Sequence, residues 1–96
     1  MITSFKGKLA RDIWETNTSR TLPGEHWLRA KALLTIIHST RQLADLRIRR
    51  QPPTIRLHKL KGLRKNYWSI TISLPWCITF KFKDGEFSEV KIEDYH

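Results

Sequence analysis

The stretch YWSITISLPWCITFKF, residues 67–82, alternates cleanly between apolar and polar side chains. A period of two is the spacing of a half-buried β-strand, in which neighbouring side chains point to opposite faces of the sheet. Leu74 and Pro75 mark a turn within the stretch, and Asp84 and Gly85 follow it as a strong hairpin signal. The pattern therefore predicts two antiparallel strands followed by a third.

One face of these strands is predicted to be buried and the other exposed. The apolar side chains on the first face are Trp68, Ile70, Ile72, Leu74, Trp76, Ile78, Phe80 and Phe82, with Val90 and Ile92 from the last strand. The polar face carries Tyr67, Ser69, Thr71, Cys77 and Thr79. Because the helices must cover the apolar face, we expect the polar face to look outward. The thiol of Cys77 is then expected to lie outside the core.

The first half of the chain is predicted to be mainly helical. Residues 1–5, MITSF, suit a short opening strand. Apolar residues at helical spacing predict one helix over about 8–16 and a second over about 23–39, with a proline in the first turn of the second. One more turn is expected at 43–46, and two prolines predict a loop at 49–54.

These elements together predict an α+β fold, β-α-α followed by an antiparallel β meander, with the helices packed on one face of a small twisted sheet. Ninety-six residues with 40% hydrophobic content suit one core, so residues 1–96 are predicted to be a single domain. One cysteine excludes an internal disulfide framework. No segment approaches the ~20 apolar residues of a membrane span, and no signal peptide is recognisable. We therefore expect a cytoplasmic protein with no membrane contact.

Positive charge is concentrated in the middle of the chain. Residues 41–65 hold nine basic residues against Asp45 alone, whereas residues 84–94 hold five acidic residues against Lys91 alone. Basic excess of this density, rich in arginine, favours a surface that binds a polyanion. Nucleic acid is the leading partner class, and an acidic protein segment is the second.

Three long motifs resemble a known family. MITSFKGKLARDIWET, RLHKLKGLRKNYWSITI and WCITFKFKDGEFSEVKIEDYH are similar to segments of the HigB-type killer proteins of plasmid-maintenance modules, within the RelE/ParE toxin superfamily. The resemblance covers nearly the whole chain and is strongest over its last forty residues. Because the motifs are long and occur in the same order, the chain is identified as a member of that family with a RelE/ParE-like fold.

The resemblance implies a ribosome-dependent endoribonuclease that cleaves messenger RNA in the decoding site and is held inactive by a helix-turn-helix antitoxin of the HigA type. It assigns catalysis to His58, Lys61, Tyr95 and His96, and no cofactor is implied. The sequence contains no metal-binding motif. The basic residues expected to bind ribosomal or messenger RNA phosphates as a group are Arg47, Arg49, Arg50, Arg56, Arg64 and Lys65.

The chemistry of these residues also suits RNA cleavage when it is considered independently of the family resemblance. Cleavage of RNA without metal requires a base for the 2′-hydroxyl proton, an acid for the leaving 5′ oxygen, and positive charge at the phosphate. Imidazole suits the proton transfers because its reference pKa is about 6.5. We assign His96 to a proton transfer, His58 to its assistance, Lys61 to the phosphate and Tyr95 to orienting RNA. Without the resemblance, the two histidines and Lys61 would be read as solvated surface residues.

Cys77 is the departure from the family pattern, because the family's WRITF motif places an arginine there. A thiol cannot supply the rigid fork of donors that arginine offers a phosphate. Losing such a contact costs about 3 to 4 kcal/mol, or about 10²- to 10³-fold in rate. The sequence leaves open a weakened toxin, a substitute charge from Arg64, an inactive member that binds antitoxin or RNA, and a non-catalytic gyrase-inhibitor type. A cysteine nucleophile is the weakest interpretation, because RNA cleavage has no use for one.

Overall fold

The computed structural model describes residues 1–16, 22–47, 57–64 and 66–94. The helices are α1 Lys8–Thr16, α2 Gly24–Ser39 and α3 Leu43–Arg47, with a 3-10 turn at Gly62–Arg64. The strands are β1 Leu57–Lys59, β2 Trp68–Ser73, β3 Trp76–Lys83 and β4 Glu86–Asp94. They form one antiparallel sheet in the order β1-β2-β3-β4. The predicted α+β class is therefore confirmed.

The helices agree closely with their predicted positions. The first has its expected bounds, and α2 begins at Gly24, because Pro23 is the N-cap with an extended ψ of 153°. The prediction that this proline lies in the first turn was therefore wrong by one residue. Within the described residues, no helix is both long enough and apolar enough to cross a bilayer. The loop predicted at 49–54 lies outside the described residues.

The opening strand is reduced to two isolated parallel bridges along β4. Ile2 pairs with Phe87 and Phe5 pairs with Val90. Backbone hydrogen bonds hold the segment in place, including one of 2.9 Å from the Lys6 amide to the Val90 carbonyl. The first six residues thus lie beside the last strand, which brings the side chain of Lys6 to the sheet.

Strand β1 was not predicted from the sequence. Leu57, His58 and Lys59 pair with β2, and His58 lies opposite Ser69. Three residues are too few to show a period of two, so the pattern had no signal for this strand. Its pairing adds an edge to the sheet and fixes the position of His58.

The core lies between the helices and one face of the sheet. Its helical residues include Ala30, Leu33, Leu34 and Ile37 of α2. Its sheet residues are Ile70, Ile72, Ile78, Phe80, Phe87, Val90 and Ile92. The prediction that helices cover the apolar face of the sheet is confirmed by this cluster.

Two irregularities change which side chains face inward. Leu74 was predicted to be buried, but it is 77% exposed because it lies in the tight turn after β2. In β4, one extra residue between the partners of Thr79 and Lys81 forms a β-bulge, with Glu89 at φ 50°. The bulge shifts the alternation by one position, so both Phe87 and Val90 reach the core.

Candidate active site

The sheet face opposite the helices is built from two rows of paired residues. In the first, His58 pairs with Ser69 and Ser69 pairs with Thr79. In the second, Thr71 pairs with Cys77 and Cys77 pairs with Glu93. Because directly paired Cα atoms in antiparallel strands lie about 4.5 to 5.5 Å apart, each row forms a continuous polar strip across the strands.

An open groove of about 530 Å³ lies over the β1 end of these strips. His58, Lys61, Ser69, Thr71, Pro75 and Cys77 are among its lining residues. The turn after β2 and the segment after β1 both contribute lining residues to the groove. Two of the four predicted catalytic residues, His58 and Lys61, are therefore brought together in one groove.

Backbone geometry places these two side chains at the groove. His58 lies in β1, whose register with β2 fixes its position, and its side chain is exposed. Lys61 follows Leu60, whose amide donates a 3.0 Å hydrogen bond to the Tyr67 carbonyl. Gly62 then turns the chain with φ 69°, a left-handed conformation that favours glycine. An exposed imidazole and an exposed ammonium thus line one groove.

The other two predicted catalytic residues, Tyr95 and His96, lie outside the described residues. The last described residue is Asp94, which pairs with Trp76 at the start of β3. Arg49, Arg50, Arg56 and Lys65 of the predicted RNA-binding group are also outside the described residues, as is the side chain of Arg47.

The thiol of Cys77 was expected to look outward, and this prediction needs correction. Cys77 lines the groove and is not a member of the main core cluster, but it is a buried residue, only 4% exposed. Burial raises the pKa of the thiol, and the pKa is lowered in part by a side-chain hydrogen bond with Ser69. The thiol is therefore neutral near pH 7, which disfavours both a nucleophilic and a phosphate-binding role.

The rest of the polar face is also more buried than predicted. Ser69 is 7% exposed and Thr79 is fully buried. Long charged side chains lie over this face: Lys81 Nζ is 2.9 Å from a carboxylate oxygen of Glu89. The alternation correctly predicted which residues share this face, but it did not predict their burial. They are buried because the aliphatic stems of long charged side chains cover neighbouring surface.

Arg64 is part of this charged layer. Its Nη1 donates to Glu93 Oε1 at 2.5 Å, and its guanidinium carbon lies 5.5 Å from the centroid of the Tyr67 ring. The hydrogen bond that Arg64 donates to the Glu93 carboxylate raises the pKa of Arg64. The sequence predicted Arg64 as one of a group of RNA-binding residues. It did not predict the ion pair with Glu93, because the two residues are 29 positions apart. Only the sheet brings them together.

No group of three or more His, Cys, Asp or Glu side chains suited to a metal ion occurs among the residues that the structure describes. The groove instead offers the imidazole of His58, the ammonium groups of Lys59 and Lys61, and two hydroxyls, from Ser69 and Thr71. These groups can transfer a proton, bind a phosphate and donate hydrogen bonds to sugar or base.

Two comparisons with known proteins concern the chain as a whole. Residues 3–96 match the family described as RelE-like toxin of the type II toxin-antitoxin system HigB. The chain is also 36% identical over 96 residues to a protein of Proteus vulgaris named Endoribonuclease HigB, and the match covers 100% of both chains.

Proposed function

The chain belongs to the HigB-like family of RelE-like toxins of type II toxin-antitoxin systems, and we propose that it is an endoribonuclease that cuts messenger RNA on translating ribosomes. The observation that carries this proposal is the groove that joins His58 and Lys61 at the edge of the polar sheet face. The name of the Proteus vulgaris relative supports the same reaction. Ribosomes provide the translated message, so the reaction takes place in the cytoplasm.

In the proposed mechanism the 2′-hydroxyl of one nucleotide attacks the adjacent phosphorus, and the bond to the 5′ oxygen breaks. One of the two histidines, His58 and His96, removes the 2′ proton and the other protonates the leaving oxygen. Lys61 neutralises the charge that develops on the phosphate, while Tyr95 stacks on a base and orients it. The products are a 2′,3′-cyclic phosphate and a 5′-hydroxyl end, so no cofactor is consumed.

Cys77 makes this enzyme slow. Its buried, neutral thiol lies in the same groove as His58 and Lys61 but adds no positive charge to a bound phosphate. The missing contact corresponds to about 10²- to 10³-fold in rate. The rest of the groove remains in place, so a low rate is expected rather than none.

The family name implies an antitoxin partner, which we propose is a helix-turn-helix protein of the HigA type. The basic surface that receives RNA also attracts an acidic segment of such a partner. Binding of the antitoxin over this surface would block access of the message to the groove.

A cell-free translation assay tests the proposed activity. Purified protein is added to a translated message and to the same message without a start site, and new 5′ ends are mapped. We expect cuts within the translated region only, and we expect His58→Ala and Lys61→Gln each to reduce them. Intact message with both the natural chain and the Cys77→Arg variant would contradict the proposal. RNA binding without cleavage, with cleavage restored by Cys77→Arg, would instead identify the natural chain as an inactive member.

A further inference from the structure

A second hollow, of about 420 Å³, opens on the same sheet face as the groove. We call it the cationic hollow. Its lining residues are Lys6, Arg64, Tyr67, Thr79, Lys91 and Glu93. They come from the N-terminal segment, the 3-10 turn, β3, β4 and the residue that precedes β2. The hollow shares no lining residue with the groove that contains His58 and Lys61, so it is a separate site.

A buried hydroxyl lines this hollow. Thr79 is 0% exposed, and its Oγ1 finds no hydrogen-bond partner in the part of the chain that the structure describes. Buried polar groups are nearly always hydrogen-bonded, because an unpaired one carries the full cost of its lost hydration. The unpaired hydroxyl of Thr79 is therefore a hydrogen-bond donor for a ligand in the hollow.

The charges around Thr79 specify the sign of that ligand. Lys6, Arg64 and Lys91 supply three positive charges, and Glu93 supplies the single negative one. Glu93 contacts two of them, at 2.5 Å from Arg64 Nη1 and 3.6 Å from Lys91 Nζ. One carboxylate cannot neutralise three cations, so the hollow has a net positive charge.

Lys6 adds a third cation to the hollow from the N-terminal segment. Its Nζ lies 5.7 Å from the centroid of the Tyr67 ring, and its backbone is fixed to Val90 by a 2.9 Å hydrogen bond. It forms no ion pair with an acidic side chain among the described residues. Glu93 holds the guanidinium of Arg64 through one nitrogen, and an arginine has five donors, so others are available to an anion.

The hollow adjoins the groove along the sheet. Ser69 lines the groove and its partner Thr79 lines the hollow, while Cys77 lines the groove and its partner Glu93 lines the hollow. The two sites are therefore one strand pair apart, about 5 Å between paired Cα atoms. A single nucleic-acid strand that lies across the face can reach both.

We propose that the cationic hollow binds the backbone phosphate next to the scissile one. Thr79 donates its hydroxyl to a phosphate oxygen, and Lys6, Arg64 and Lys91 surround the charge. The proposal rests on the proposed function, because it takes the substrate of the groove to be RNA. A phosphate bound there fixes the position of the RNA along the sheet and so selects which phosphate lies beside His58.

The test uses a tetranucleotide with 2′-O-methyl groups, which binds but cannot be cleaved. Its dissociation constant is measured by NMR titration at low ionic strength, which also detects weak binding. We expect Thr79→Val to weaken binding about tenfold or more, because it removes a hydrogen bond to a charged group. Its melting temperature should not fall, since valine removes an unpaired buried hydroxyl and keeps the shape.

A neutral methylphosphonate placed at each linkage in turn locates the phosphate. At one linkage we expect the neutral group to weaken binding to the natural chain but not to Thr79→Val. This non-additivity indicates that Thr79 contacts the phosphate at that linkage directly. Lys91→Gln should behave as Thr79→Val does. Lys83→Gln is the matched control, because Lys83 lies four residues further along β3, about 13 Å from Thr79, and it should weaken binding less at that linkage.

Equal affinity of Thr79→Val and the natural chain, or equal effects of Lys83→Gln and Lys91→Gln at every linkage, would overturn the proposal. The proposal would also be overturned if Thr79→Val weakened binding of the antitoxin but not binding of the tetranucleotide. The cell-free translation assay separates these outcomes from failure of the proposed function. If the natural chain cuts the translated message but Thr79→Val binds the tetranucleotide as tightly as the natural chain does, only the phosphate site is refuted. If the natural chain neither cuts the message nor binds RNA, both the phosphate site and the proposed function are refuted.

Discussion

The substitution Cys77→Arg adds a cation at the groove and is the most informative single change in this protein. Cys77 is a buried residue, 4% exposed, that lines the groove and is not a member of the main core cluster. An arginine at this position therefore has to reach the groove past the side chains that bury the thiol. Its guanidinium can bind a phosphate held between His58 and Lys61.

The expected gain in rate is about 10²- to 10³-fold, or about 3 to 4 kcal/mol of transition-state stabilisation. Glu93 holds one nitrogen of Arg64 at 2.5 Å beside the cationic hollow, so we expect Cys77→Arg to add a charge at the scissile phosphate that Arg64 does not supply. We therefore expect Arg64→Gln to slow the natural chain and the Cys77→Arg variant by the same factor. A much larger effect in the natural chain would mean that Arg64 substitutes at the scissile phosphate.

The assay is cleavage of a translated message, followed as the rate at which a mapped 5′ end appears. Folding of each variant is checked by thermal unfolding. We expect Cys77→Arg to lower the melting temperature, because the arginine replaces a thiol that is only 4% exposed, and each kcal/mol lost corresponds to about 4 to 8 °C in a domain of this size. Cys77→Ser is the matched control, since it changes the side chain without adding charge. A Cys77→Arg variant that is folded but cleaves no faster than Cys77→Ser would refute the reasoning.

Three further predictions concern stability. Phe80→Ala removes a fully buried ring that packs edge-on against Phe87 at 5.1 Å and should cost about 3 to 5 kcal/mol in urea unfolding; a loss below about 1 kcal/mol would contradict its place in the core. Gly85→Ala should cost more than Gly62→Ala, because both have positive φ but only the added Cβ at Gly85 meets a neighbour, the Arg41 carbonyl at 3.4 Å; equal unfolding midpoints would argue against the close contact. Lys81 and Tyr67 lower the pKa of Glu89 from its ordinary 4.5, so its contribution to stability is present above that value and is lost as the pH falls. Glu89→Gln should therefore flatten the acid side of the stability profile, and an unchanged slope would contradict the contribution.

The sequence predicted the helices and the long strands well because their signals are local. Apolar spacing within α1 and α2 and alternation within β2 and β3 depend only on residues near one another in the chain. The motif resemblance identified His58 and Lys61, and the structure places both at one groove. The predicted roles of Tyr95 and His96 remain predictions, because both lie outside the described residues.

The site was predicted less completely where it depends on pairing between distant segments. Thr79 has no signal of its own in the sequence, and its unpaired hydroxyl became visible only when β3 was placed between β2 and β4. Lys6 and Lys91 are two lysines among many in the sequence. They line one hollow because the N-terminal segment runs beside β4.

By itself, the sequence determined the α+β class, the bounds of the main elements and the basic character of the surface. Each of these follows from periodicity or composition, which tertiary contacts do not alter. Only the tertiary structure decided the pairing of β1, the bulge that turns Phe87 inward, the burial of Cys77, and the ion pair of Arg64 with Glu93. These features depend on strand register and on the packing of long side chains over a neighbouring strand, and neither is encoded in a local pattern.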